Sequence, residues 1–387
     1  MPLRETIKKM KGKTNQYHLS QLNPARITLA RELKGFTKKQ LAEKIGKTPS
    51  AVTQYESGRT RPELTTFCAI ALALGVTTTF FAIQNTPEIS LSSCHFRANR
   101  KTSKTAKRQA LQYIKIGVSL YQRLESEGIK LPPVQIPQYE LESRSGIEIE
   151  NFAHAIREEW GVGTGPIPNV LNLLESKGVC VILLKEALAG LDGFSFWHEE
   201  RPFIALVPNL NKGSRIQFDL AHELAHLVLH SEEDTGDLSI EREANRFAGA
   251  LLAPTKSFAA DCPARWNEQA FLEIKEVWHI SMQAALYRAR QIGKISESSF
   301  RWGMVQISKT GQRTNEKGEF TIAYPSLLNQ ALSLISNDLS LPAISESLGL
   351  SESDVKSLLK EQGVTNDIIA SLEPSPLPSS IPIVTLR

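Results

Sequence analysis

Residues Phe218-Asp219-Leu220-Ala221-His222-Glu223-Leu224-Ala225-His226-Leu227-Val228-Leu229-His230 place His-Glu-x-x-His on an otherwise apolar helix. His222 and His226 are four positions apart, so about one helical turn stacks both imidazoles on one face. That spacing suits a single divalent metal. Glu223, rotated about 100° from His222, can act as general base on a metal-bound water and then pass its proton to a leaving amine. A core helix that merely happened to carry two histidines would need partners for both, and Leu220, Ala221, Leu224, Ala225, Leu227 and Val228 supply none.

A zinc hydrolase needs a third protein ligand and leaves its fourth position open. The segment Glu241-Arg242-Glu243-Ala244-Asn245-Arg246-Phe247-Ala248, which follows a short polar loop, offers two carboxylates. Glu241 is the first candidate, because it shares a helical face with Asn245 while Ala244 and Ala248 allow close approach to the histidine helix. Glu243 is the second. Asn245 would steady a ligand by hydrogen bonding. His230 continues the 222, 226 series but diverges from a tetrahedral centre, so support, substrate contact and capping all remain open for it.

Taken in order, Gly165-Pro166-Ile167, Leu173-Leu174-Glu175-x-Lys177-Gly178-Val179, Asp192-Gly193-Phe194-Ser195, Arg215-x-x-Phe218-Asp219-x-Ala221-His222-Glu223 and Glu241-x-x-Ala244-Asn245-x-Phe247-Ala248 resemble the ImmA/IrrE family of bacterial metallopeptidases. The resemblance spans about residues 148 to 295. It implies a zincin-like domain, with zinc as cofactor and manganese as the alternative, and limited cleavage of a helix-turn-helix repressor in phage-like element control or stress response. Ala225 stands where glycine is frequent, a change that favours the helix.

A second motif lies near the N-terminus, where Arg26 to Phe81 read as four or five short helices. Thr37 and Gln40 form a capping box, Gly46 sits at a turn that needs positive φ, and Thr48 caps a helix that opens with Pro49. Leu41, Ala42, Ile45, Val52, Leu72 and Leu74 are the expected core. Ser50, Thr53 and Gln54 are left on the outward face of the third helix, as in a helix that enters a major groove. Gln54 could read an adenine edge, and Lys38, Lys47, Arg59 and Arg61 suit phosphates, with Gln40 and Thr48 completing the expected contact set. The series Gln40-Leu41-Ala42, Ser50-x-Val52-x-x-Tyr55-Glu56-x-Gly58-x-Arg61-Pro62 and Ala71-Leu72-x-Leu74-Gly75-Val76 resembles the XRE family of phage-repressor-like domains.

Charge agrees with this division. Residues 1 to 130 hold 23 Lys plus Arg against 8 Asp plus Glu, whereas the remainder holds 22 against 33, giving +15 and −11 within a total of +4. Polyanion binding is thereby directed to the N-terminal third. Lys8, Lys9, Lys11 and Lys13 form a basic arm that is either a phosphate clamp or a solvated tail, and Arg97, Arg100, Lys101, Lys104, Lys107 and Arg108 extend the basic region.

At 387 residues and 41% hydrophobic, the chain has room for two or three globular units. It shows neither a membrane-length apolar run nor a secretory segment, which predicts a cytoplasmic protein. Cys68, Cys94, Cys180 and Cys262 make no Cys-x-x-Cys pair and read as isolated thiols, with redox sensing at Cys94 the minor alternative.

The expected fold is mainly α with a small mixed sheet: an all-α helix-turn-helix domain at 20–83, a helical linker at 84–147, an α+β zincin-like domain at 148–300 and a helical C-terminal region at 301–387 ending in a flexible Pro374-to-Pro382 tail. Ala106, Ala110, Ile114, Val118, Tyr121 and Leu124 recur at helical intervals in the linker and make it a candidate dimer face. Strands are predicted at Val179–Leu184, Phe194–His198 and Phe203–Val207, with a sheet edge able to hold an extended peptide. Gly161-x-Gly163-x-Gly165 precedes a helix without following a strand, so it reads as a turn and not a dinucleotide site. Leu341 to Ser351 looks like another helix-turn-helix, but Glu352 and Asp354 would repel phosphate, and packing or protein interaction is expected of it. The combined expectation is a homodimeric DNA-binding regulator with a zinc-dependent endopeptidase domain, its partners an operator duplex and an XRE-type repressor as substrate. The alternative is a regulator whose metal site is structural or sensory.

Overall fold

The computed structural model describes residues 13–90, 103–137, 144–185, 188, 191, 193–230, 237–336 and 338–373. Lys8, Lys9, Lys11, Cys94, His95, Arg97, Arg100, Lys101, Asp192 and the Pro374-to-Pro382 stretch lie outside the described residues. In chain order the helices are α1 (Lys13–Ser20), α2 (Pro24–Leu33), α3 (Lys38–Ile45), α4 (Pro49–Glu56), α5 (Leu64–Leu74), a 3-10 turn (Thr79–Ala82), α6 (Lys104–Ser126), α7 (Gly146–Glu159) and α8 (Val170–Ser176). Strands β1 (Cys180–Leu183), β2 (Gly193–His198) and β3 (Arg201–Leu206) follow. The chain then continues with α9 (Gly213–Leu229), α10 (Leu238–Leu252), α11 (Thr255–Asp261), α12 (Glu268–Trp278), α13 (Met282–Gln291), α14 (Glu297–Lys309), α15 (Leu327–Ile335), α16 (Leu341–Leu348), α17 (Glu352–Glu361) and α18 (Asn366–Ser371). The fold is mainly helical with one small mixed sheet, as the periodicity predicted.

Packing divides the chain into two units that are not contiguous in sequence: 1–87 with 115–130 and 326–387, and 88–114 with 131–325. Long-range burial and not chain continuity therefore assembles each unit.

In the first unit, local chemistry sets the helix ends. The Thr37 hydroxyl accepts from Gln40 N while the Gln40 side chain accepts from Thr37 N, Gly46 takes φ 64°, and Thr48 caps α4 ahead of Pro49. Phe67, Phe80 and Phe81 are fully buried, with ring centroids 5.5 and 5.6 Å apart for the two pairs that Phe81 makes. Leu41, Ala42, Val52 and Leu74 join this core as expected, and Ile45 is half-buried. Leu72 is not part of it: Phe67, Ile70, Ala71 and Leu74 occupy the inner face of α5, and the helical period turns Leu72 outward to 37% exposure. The C-terminal helices pack into the same unit, where Thr77 Oγ1 donates to Gly349 O at 2.6 Å and Arg26 Nη2 donates to Leu348 O at 3.1 Å. The helix-turn-helix-like segment at 341–361 thus serves packing.

Helix α6 also departs from expectation. Ala110, Ile114, Val118, Tyr121 and Leu124 are buried within the single chain, so the apolar stripe is already covered and does not present a dimer face.

The second unit is built around α9. In the sheet, ordered β1-β3-β2, β3 pairs parallel with β1 and antiparallel with β2, with Cys180 opposite Phe203 and Ser195 opposite Ile204. The three strands fall within two residues of their predicted limits. Helix α7 lies along α10, where Phe152 and Phe247 rings are 6.0 Å apart and the buried Arg157 donates from Nη1 to Leu251 O. Arg157 also donates from Nε to Gly163 O at 2.7 Å and from Nη2 to Gly165 O, so the glycine-rich turn supplies carbonyls to a buried guanidinium. Burial lowers the pKa of that guanidinium to about 10. Glu150 ties α7 to α13, accepting from Arg288 at 2.9 and 3.2 Å and from Thr255 Oγ1 at 2.7 Å. Burial pushes its carboxyl pKa up, but the bonds from Arg288 and Thr255 and the Arg288 and Arg246 charges outweigh that and hold it below the usual range.

Candidate metal centre and nucleic-acid face

Helix α9 has no side-chain cap of its own, and its N-terminus is satisfied from far away in sequence. The Glu319 carboxylate accepts from Ser214 N at 2.9 Å and from Ser214 Oγ at 3.0 Å, while Gly213 N donates to Phe320 O at 2.8 Å. A carboxylate at a helix N-terminus also offsets the positive end of the dipole. A Cβ on Gly213 would stand 2.4 Å from the Phe320 ring, so only glycine permits this approach. Glu319 is held in turn by the fully buried Lys275 ammonium at 2.8 Å, which also donates to Glu316 at 2.7 Å. The other end of the site depends on α10, which begins at the Asp237 cap and packs along α9 through Ala244 and Ala248, both with no exposed surface.

These supports bring His222, His226 and Glu241 together. Their ligand atoms all lie within 4.8 Å of one another. His222 Nε2 is 3.1 Å from His226 Nε2 and 3.5 Å from Glu241 Oε2, and His226 Nε2 is 3.9 Å from Glu241 Oε1. Two ligands about 2.0–2.1 Å from a tetrahedral zinc stand roughly 3.3 Å apart, so the donor set fits such an ion. Both imidazoles are almost fully buried, whereas the Glu241 side chain keeps 22% exposure.

Glu223 is 1% exposed and does not belong to this donor set. The Ser195 hydroxyl on β2 lies 2.9 Å from Glu223 Oε2 and 3.0 Å from Glu223 O, which holds the carboxylate in one orientation. Ser195 had no assigned role in the sequence reading. Its signal was its place in the Asp192-Gly193-Phe194-Ser195 stretch, since nothing in local spacing links it to a residue 28 positions away.

The remaining expected residues take distinct places. Glu243 lies 2.9 Å from His230 Nε2 and 3.8 Å from Arg144 Nη1, a pairing that occupies it away from the donor set and gives His230 a supporting contact on α10. Asn245 Nδ2 donates to the Glu241 backbone carbonyl at 2.7 Å, so it steadies the helix turn carrying Glu241 and not the carboxylate itself.

On the first unit, Ser50, Thr53 and Gln54 are exposed on α4, with Gln40, Lys47, Thr48, Arg59 and Arg61 exposed around them. Lys38 Nζ lies 3.2 Å from Thr53 Oγ1 and 3.5 Å from the nearly buried Glu56, which is itself held 2.5 Å from Arg31. Lys38 is therefore partly committed within the domain, whereas Lys47 has no such partner among the described residues.

Residues 27–81 match the helix-turn-helix family, and residues 174–290 match the IrrE N-terminal-like domain of the M78 peptidases. The chain is a fusion of an XRE-type helix-turn-helix domain with an ImmA/IrrE-type peptidase-family domain. No curated protein matches it. The peptidase-family match contains His222, Glu223, His226 and Glu241, and the helix-turn-helix match contains all of α3 and α4. Among the described residues no helix is long and apolar enough to cross a membrane.

Proposed function

We propose that this fusion is a DNA-localised, zinc-dependent endopeptidase that cleaves an XRE-type repressor in the cytoplasm. The observation that carries the reading is a His-His-Glu donor set accompanied by Glu223, a buried carboxylate that follows His222 in sequence, is held by Ser195 and is not a member of the set. A centre built only for structure would close its fourth position with another ligand and would need no adjacent base. His222, His226 and Glu241 would hold the ion, with manganese as the alternative occupant. When bound, the ion supplies Lewis-acid polarisation of the scissile carbonyl and lowers the pKa of water. Glu223 would take the proton from the attacking water and return it to the departing amine, as general base and then general acid. Ser195 would keep that carboxylate aimed, and burial would keep bulk water from competing for its proton. Strand β2 has β3 as its one strand partner among the described residues, so its second edge suits an extended substrate segment paired through backbone hydrogen bonds.

The helix-turn-helix domain would bring this chemistry to an operator, with Ser50, Thr53 and Gln54 reading base edges and Lys47, Arg59 and Arg61 contacting phosphates as one half of a two-fold dimer. The test is incubation of metal-loaded full-length protein with purified XRE-type repressors encoded beside it, followed by mass analysis of fragments. Wild type is expected to give discrete products, and Glu223→Gln to retain metal, fold and DNA binding while losing cleavage by at least about a hundredfold. Equal regulation by both proteins with no cleavage by either would replace this reading with a metal sensor.

A further inference from the structure

We propose that the unit containing the helix-turn-helix domain also holds a binding site for a small anionic metabolite, in a cavity of about 390 Å³ walled by α2, the segment after the 3-10 turn, the second half of α6 and the end of α16. Every wall belongs to that one unit. The site is independent of the peptidase reading.

Among the described residues its lining contains two arginines and no acidic residue. Arg26 is 2% exposed and donates from Nε to Phe80 O at 2.9 Å and from Nη2 to Leu348 O at 3.1 Å, with its guanidinium carbon 3.8 Å over the Phe80 ring. No carboxylate pairs with it among the described residues. Carbonyls and a ring face satisfy hydrogen bonds, but they do not neutralise the charge, and an uncompensated buried cation is costly. Burial lowers its pKa to about 10, so the group stays charged at neutral pH. Arg123, on the α6 wall, gives a second and independent sign. It is ion-paired with Glu127, yet its Nε is buried without an acceptor.

A desolvated cation without a counter-ion, an orphaned guanidinium donor and an acid-free lining call for a ligand that brings negative charge and acceptors together. Carboxylate and phosphate both do so. The volume lies at the low end for small-molecule sites, which limits the ligand to a compact metabolite. Because the walls join the helix-turn-helix domain to the end of α16, such a ligand would brace the packing between them.

Calorimetric titration of the full chain with inorganic phosphate, succinate and glucose 6-phosphate tests this, the three probes separating phosphate from carboxylate recognition. At least one should bind with Kd below about 1 mM. Arg123→Gln should weaken that binding at least about tenfold. Ser119→Phe, which fills the cavity from α6 without removing charge, should do the same. Glu127→Gln, which removes the competitor for Arg123, should tighten it. Arg26 is left unchanged because it braces Phe80 and Leu348. Failure of all three probes to bind below about 10 mM, or equal affinity in wild type, Arg123→Gln and Ser119→Phe, would overturn the proposal.

Discussion

The first unit contains two helix pairs written in nearly the same local code. In α3–α4, Gly46 takes φ 64° and Thr48 caps the second helix; in α16–α17, Gly349 takes φ 67° and Ser351 caps the second helix by accepting from Asp354 N at 3.2 Å. Their surroundings are opposite. A Cβ on Gly46 would meet nothing within 4 Å, whereas one on Gly349 would stand 2.4 Å from Phe80 Cα and 2.8 Å from Phe80 N. The second helix of the first pair has no acid in its first turn, while α17 begins with Glu352 and Asp354. Caps and a left-handed glycine therefore specify a shape, and charge and burial decide its use. One pair leaves its turn open, and the other has its turn packed inward against Phe80.

Alanine at each of the two glycines should separate the helix pairs by the largest effect. Gly349→Ala adds a backbone clash to left-handed strain and should destabilise by about 3 kcal/mol in urea unfolding of the full chain. Gly46→Ala carries the strain alone and should cost about 1 kcal/mol. Equal losses would show that the Phe80 contact does not brace the unit.

A smaller effect is expected on the reading face. Gln54→Ala should lose about 1–3 kcal/mol of discrimination between operator and random duplex, with little change in stability, as read by fluorescence anisotropy. Lys47→Ala should weaken both duplexes alike and reduce the salt slope by about 1. The smallest change belongs to α17, where Glu352→Gln should leave DNA affinity unaltered. A gain there as large as the Gln54→Ala loss would make the second pair a reader as well.

What could be read from the sequence was what local spacing encodes. The 222, 226 repeat stood out because two imidazoles and a carboxylate conflict with an apolar helix, and the first helix pair because each cap lies within three residues of its partner. The packing of 326–373 with residues near 26 and 77–80 was not readable, since its contacts join positions about 270 to 320 apart through backbone carbonyls. The same holds for Glu319 capping α9 and for Arg157 drawing on Gly163 and Gly165 carbonyls. Leu72 is hydrophobic enough to suggest a core position, but its helical phase places it outside. The dimer reading of α6 failed for a related reason: periodicity shows that a stripe will be buried, but not by which surface.

Glu241, and not Glu243, is expected to complete a metal centre with His222 and His226. Elemental analysis of the purified full chain and its Glu241→Ala and Glu243→Ala variants tests this most directly. About one divalent ion per chain is expected in wild type and in Glu243→Ala, with the ion lost or much weakened in Glu241→Ala. Full occupancy in Glu241→Ala with loss in Glu243→Ala would contradict the assignment, and an empty wild-type site would contradict the metal centre itself.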